Sequence, residues 1–167
     1  KQVLETKYQI KTQVLGPDKE DSQEVRILNR IMTWDKRGIR YEADPRHVEI
    51  FLKELDLGKT KGVTSPGIKE EGTTKADCDE LLDEKGLSHY RAFVARMNYL
   101  ATDRPDIAFA VKELARTMSK ATKGCWDRLK RLGRYLVDRP RAIIEYKWQS
   151  GPNQLTVFTD ADWAGCK

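Results

Sequence analysis

Cysteine and histidine are scarce in this 167-residue chain: Cys78, Cys125 and Cys166 are its only thiols, and His47 and His89 its only imidazoles. An odd number of widely spaced cysteines, with no Cys-x-x-Cys pair and no nearby His, argues against a disulfide framework and against a zinc site. We expect free thiols in an intracellular, reducing compartment. Long hydrophobic runs are missing too. The longest, Ile107 to Val111, is far too short to span a bilayer, so no membrane partner is expected. The first residue is Lys1, not Met, and no basic segment leads into an apolar stretch near it. No signal peptide is therefore expected, and the sequence reads as an excerpt from something longer.

What is present is charge, at 34% of residues, with a net +5 distributed unevenly. From Ser88 onward 15 Lys and Arg face 8 Asp and Glu, which leaves 16 against 18 before it. A basic second half of this kind suits a polyanionic partner, although a solvated charged face has the same composition. Hydrophobic residues, at 39%, suffice for a modest core.

Residues 1–58 read as a β-hairpin with one helix. "VRILNRIMT" from Val25 is rich in β-branched residues, "WDKRG" supplies a turn, and "IRYEA" a second strand. Asp44-Pro45 then gives an N-cap and a first-turn proline, and Val48, Phe51, Leu52 and Leu55 recur at helical spacing until Gly58. Residues 59–87 hold few apolar anchors among Gly, Thr, Pro and acids, and read as an acidic linker with at most a helical turn around Asp79 to Asp83. Residues 88–138 predict a three-helix cluster. Tyr90, Phe93, Val94, Met97 and Leu100 form one stripe and Ile107, Val111, Leu114 and Met118 a second, with Pro105 between. A third helix from Trp126 to Val137 buries Trp126, Leu129, Leu132, Leu136 and Val137. Residues 139–167 read as two strands, "AIIEYKW" and "QLTVFTD", around the turn "QSGPN". The fold class is α+β.

Three groups of residues are candidates for chemistry. Arg128, Lys130, Arg131 and Arg134 occupy the arc of the third helix opposite its apolar side, where cations pair with phosphates without reading sequence. The same row also serves a solvated outer face. "RPD", Arg104 to Asp106, suits a buried salt bridge at the helical junction, and "DPRH" around Asp44 and His47 is read as a capped helix start in preference to an acid-base pair. Asp160 and Asp162 lie two apart in a strand pattern, so both carboxylates project to one face, as ligands of a shared cation would. One strand cannot complete such a site, and a plain acidic strand end has the same spacing.

"FTDADWAG" resembles the opening of the RNase H domain in the Pol polyprotein of copia-type LTR retrotransposons. "YRAFVARMNYLATDRPDIAFAVKELARTMSKATKGCWDRLKRLGRYL" is similar to the segment joining reverse transcriptase to RNase H in that family. "VRILNRIMTWDKRGIRYEADPRHVEIFLKEL" is similar to the end of its polymerase palm, and "GVTSPG" to its extended proline tract. The resemblance implies that residues 1–58 end a palm, 88–138 form thumb or connection helices, and 139–167 hold the first strands of a truncated RNase H-like domain. It makes Asp160 a metal ligand, for Mg²⁺ in the intact parent enzyme, with none expected to bind tightly here. It also implies an RNA–DNA hybrid or DNA backbone, held weakly and non-specifically, and the remainder of the Pol polyprotein as partners. No Asp-Asp dipeptide occurs, so the polymerase acid pair has no counterpart. Asn29 stands where the family usually has Gly, and Arg96 where a small residue is common. The expected function is template–primer positioning without catalysis. The alternative is a basic nucleic-acid or protein interaction module with no enzymatic role.

Overall fold

The β-branched stretch from Val25 to Thr33 does not run as one strand. The computed structural model describes residues 4, 6–67, 80–151 and 154–159, and in it the stretch is folded back on itself as β1 (Glu24–Ile27) and β2 (Arg30–Asp35). Leu28 and Asn29, at φ 49° and 64°, make the two-residue turn between them. Both are left-handed, as the tight turn joining two right-twisted strands requires. Asn tolerates that region better than any residue but Gly, which accounts for Asn29 where the family has Gly. The expected hairpin is thus a three-stranded meander, completed by β3 (Gly38–Glu42).

A fourth strand closes the sheet from far along the chain. β4 (Ile143–Lys147) pairs antiparallel with β3, from Gly38 opposite Lys147 to Glu42 opposite Ile143, giving the order β1-β2-β3-β4. The expected pairing of this strand with the segment around Leu155 is not what forms. Residues 154–159 are in no strand, and Leu155, Val157 and Phe158 are exposed. β3 offered a free edge of backbone donors and acceptors, and three local features select it. Arg141 grips Glu42 with two nitrogens at 2.5 and 2.7 Å. Gly38 lets the Tyr146 carbonyl approach where a Cβ would collide. Trp148 closes over the β2–β3 turn, its amide donating to the Arg37 carbonyl at 2.8 Å and its indole to that of Asp35 at 3.1 Å.

Four helices among the described residues build the second layer: α1 (Arg46–Glu54), α2 (Glu84–Ala101), α3 (Pro105–Arg116) and α4 (Lys123–Asp138). α2 packs on α1 and α3, and α4 on α1 and α3. The predicted stripes are the core. Tyr90, Phe93, Val94, Met97 and Leu100 of α2 meet Ile107, Val111 and Leu114 of α3, Leu129, Leu132 and Leu136 of α4, and Val48 and Phe51 of α1. Met118 and Trp126 are partly buried against it, and Phe93 presents its ring edge-on to Phe51 and Trp126.

The linker differs most from expectation. Helix α2 begins within it, at Glu84, because the Asp83 carboxylate caps it by accepting from the Gly86 amide at 2.8 Å. In place of a helical turn ahead of Asp83, Leu82 donates to the Ala121 carbonyl and Lys123 to that of Glu80, tying this stretch to the start of α4. Residues 60–67 lie along α4, and residues 68–79, with Asp79, fall outside the described ones. Helix α1 also ends earlier than Gly58. Its N-cap is Pro45, with Asp44 one residue ahead accepting from the Arg46 amide at 3.0 Å.

Candidate nucleic-acid interface

Helix α4 is positioned by its two ends and by its glycine. Thr122 caps it, accepting from the Cys125 amide at 3.3 Å. Gly133 faces α1 so closely that an added Cβ would strike the Leu57 side chain, which is how the helix reaches contact with the α1 terminus. With Leu129, Leu132 and Leu136 turned into the core, the four predicted cations are left on the remaining arc.

The structure divides those four. Lys130 is exposed, 3.9 Å from Asp127 on its own helix. Arg128 is half-buried near Cys125. Burial pushes the Cys125 thiol up, but hydrogen bonding by Thr117 and Thr122 and the Arg128 charge leave it below its ordinary value. Arg131 and Arg134 are engaged by residues 60–67, hereafter the strap. Arg131 donates from Nη2 to the Ser65 hydroxyl at 3.1 Å, and Arg134 from Nε to the Lys61 carbonyl at 2.9 Å. Arg139, just past the helix, donates to the Val63 carbonyl at 3.5 Å. Sequence reasoning missed Arg139 and the strap; the apolar anchors were the local signal, since Leu57 meets Gly133 of α4 and Val63 packs against the core.

The other candidates are structural. Arg104 is 1% exposed and holds Asp106 with Nε at 2.9 Å and Nη2 at 2.7 Å, while the same Nη2 donates to the Arg139 carbonyl at 3.1 Å. Tyr135 adds its hydroxyl to Asp106 at 3.1 Å. Burial would raise the Asp106 carboxyl, yet these partners keep it below its usual range. The expected junction salt bridge is there, and it also caps the end of α4. Asp44 is likewise buried and held low by Arg46 against the cost of burial, with His47 Nε2 3.9 Å away. His47 rests on Tyr99, ring centroids 4.9 Å apart, which fits a packed helix start. Arg96 pairs with Glu54 at 3.5 Å, bridging α2 to α1.

One cluster had no sequence signal at all. Asp103, in the α2–α3 turn, accepts from Arg30 Nε at 2.7 Å and the Tyr41 hydroxyl at 2.6 Å, joining the helices to the sheet. Asp160 and Asp162 lie outside the described residues. Among those described, no three His, Cys, Asp or Glu side chains form a group that could hold a metal ion.

No protein-family model matches the chain, and no solved structure matches it significantly. Curated proteins do. It is 40% identical over 120 residues to the retrovirus-related Pol polyprotein from transposon RE2 of Arabidopsis thaliana, 72% of this chain and 8% of that protein. The polyprotein from transposon RE1 of the same plant is 33% identical over 122 residues, 73% of this chain and 8% of the relative. That from transposon TNT 1-94 of Nicotiana tabacum is 28% identical over 127 residues, 74% and 9%. The chain thus spans less than a tenth of these relatives. Over nearly three-quarters of its residues, in a chain that carries the motifs quoted above, it is homologous to a segment of the retrovirus-related Pol polyproteins of copia-type transposons.

Proposed function

We propose that this segment is a non-catalytic positioning element of a Pol polyprotein, holding the backbone of an RNA–DNA hybrid or DNA duplex between a reverse transcriptase site and an RNase H site. The remainder of the polyprotein is its other partner, in a reducing intracellular compartment. The observation that carries the reading is the cation row along α4, Arg128, Lys130, Arg131 and Arg134, continued by Arg139, in a chain whose relatives are Pol polyproteins. Such a row binds phosphates without regard to sequence, with a Kd of roughly 10⁻⁴ to 10⁻⁶ M at physiological salt.

In the same reading Asp160 supplies one ligand of an RNase H-type Mg²⁺ site. Such sites clamp two oxygens of a phosphodiester between metal ions and need several carboxylates, so no catalytic step is assigned to this chain. The division into palm end, thumb or connection helices and RNase H start belongs to this proposal as well.

The test is a salt titration of fluorescence anisotropy with a labelled RNA–DNA hybrid. Binding should weaken steeply with salt, and Lys130→Gln should flatten the slope by roughly one unit. The competing reading, a basic interaction module with no enzymatic history, draws support from the hydrogen bonds that Arg131 and Arg134 already make within the fold. Absent or salt-indifferent binding would select it.

A further inference from the structure

We infer that the strap is a displaceable cover on the cation row of α4, so that its release regulates access of a phosphodiester backbone to Arg131, Arg134 and Arg139. The inference rests on the proposed function and concerns the regulation of that same surface. The strap meets the row through alternate residues, the carbonyls of Lys61 and Val63 and the hydroxyl of Ser65, and each of these neutral oxygens accepts from a different guanidinium. A phosphate oxygen is the same kind of acceptor with a charge added, and such charge-assisted bonds are about twice as strong as neutral ones. Two of the three contacts are solvent-exposed, so nothing shields them from exchange.

The row is also incompletely satisfied while covered: Arg131 Nε is buried without a hydrogen-bond partner. Among the described residues, Asp138 opposes a phosphate there. The Asp138 carboxylate lies directly against Gly62, so among the described residues an uncovered row would set three guanidiniums beside this carboxylate. Leu57, buried just ahead of the strap, anchors the end from which it opens, and Val63, only partly buried, moves with it. Exchange is therefore a local opening that leaves the fold intact.

Gly62→Val tests this, since any Cβ at that position would occupy the space of the exposed Asp138 carboxylate, so that either the carboxylate turns aside or the strap lifts. Ser65→Ala removes the partner of Arg131, together with the bond that the same hydroxyl donates to the Gly67 carbonyl within the strap, and introduces no clash, so it decides the question if Gly62→Val fails to fold or displaces Asp138 alone. With the full chain and a labelled RNA–DNA hybrid, both variants should bind several-fold tighter than the parent. The salt slope should steepen by roughly one unit for each guanidinium released. Adding Arg131→Gln and Arg134→Gln should cancel the gain. A parent that binds while both folded variants match it in affinity and slope would overturn the cover and leave the positioning role standing. No binding by the parent or either variant would instead remove the positioning role itself.

Discussion

Arg104 brings a full positive charge into the helical layer, and its two partners differ in kind: a carboxylate in the first turn of α3 and the carbonyl that ends α4. Arg104→Met would keep the volume but leave Asp106 and the Arg139 carbonyl short of their donor. Breaking a buried pair this way costs about 3–5 kcal/mol, and the lower end applies because Asp106 is 32% exposed. Urea unfolding should register that loss, whereas Tyr135→Phe, which removes one hydrogen bond to the same carboxylate, should cost about 1 kcal/mol. The carboxyls themselves predict an acid response. Glu42, held by Arg141, and Asp44 and Asp106, held by their arginines against burial, all have values lowered by folding. A lowered group contributes its stability above its unfolded pKa and loses it as pH falls through the folded one. The melting temperature should therefore be level above about pH 5 and decline progressively below about pH 4.5. A melting curve unchanged down to pH 3 would show that these pairs contribute nothing to stability.

At the scale of the element, helix α4 sets local preference against packing. Gly133→Ala improves an exposed helix by about 1 kcal/mol, but here the new methyl meets Leu57. Overpacking should dominate, with a net loss of about 1–3 kcal/mol in thermal or urea unfolding and no loss of helical signal at low temperature. A stabilised variant would mean that the Leu57 methyl turns aside at little cost. All four apolar stripes were legible in the sequence because burial imposes a period of 3.6 residues, which single residues reveal. The β1–β2 turn was not, because Leu28-Asn29 lacks the glycine that normally marks a two-residue hairpin. The side of α4 that carries cations was likewise legible. Their acceptors were not, since Lys61 and Ser65 lie more than sixty residues upstream and nothing in local patterning encodes which carbonyl a guanidinium will meet.

Among the described residues the sheet and the helical layer are joined chiefly by Arg30 and Tyr41 to Asp103, with Ala43 reaching the helical core. The proposal assigns no catalytic step to this chain, and its expected outcome is that purified chain with Mg²⁺ neither extends a primer nor cuts the RNA strand of a hybrid. Activity above a heat-inactivated control would place a working site where the proposal has none. The partner of β4 was beyond sequence reasoning for a reason that also governs how the chain is made. β3 is complete at Glu42, but the strand that covers its outer edge ends at Lys147. A ribosome adding roughly 5–20 residues per second needs about 5–20 s to cover that distance. Throughout that interval the helices can gather while β3 offers an unpaired row of amides and carbonyls, the template on which nascent chains mispair. Slow translation or crowded polysomes should therefore harm the yield of folded chain more than any equilibrium measurement of its stability would suggest.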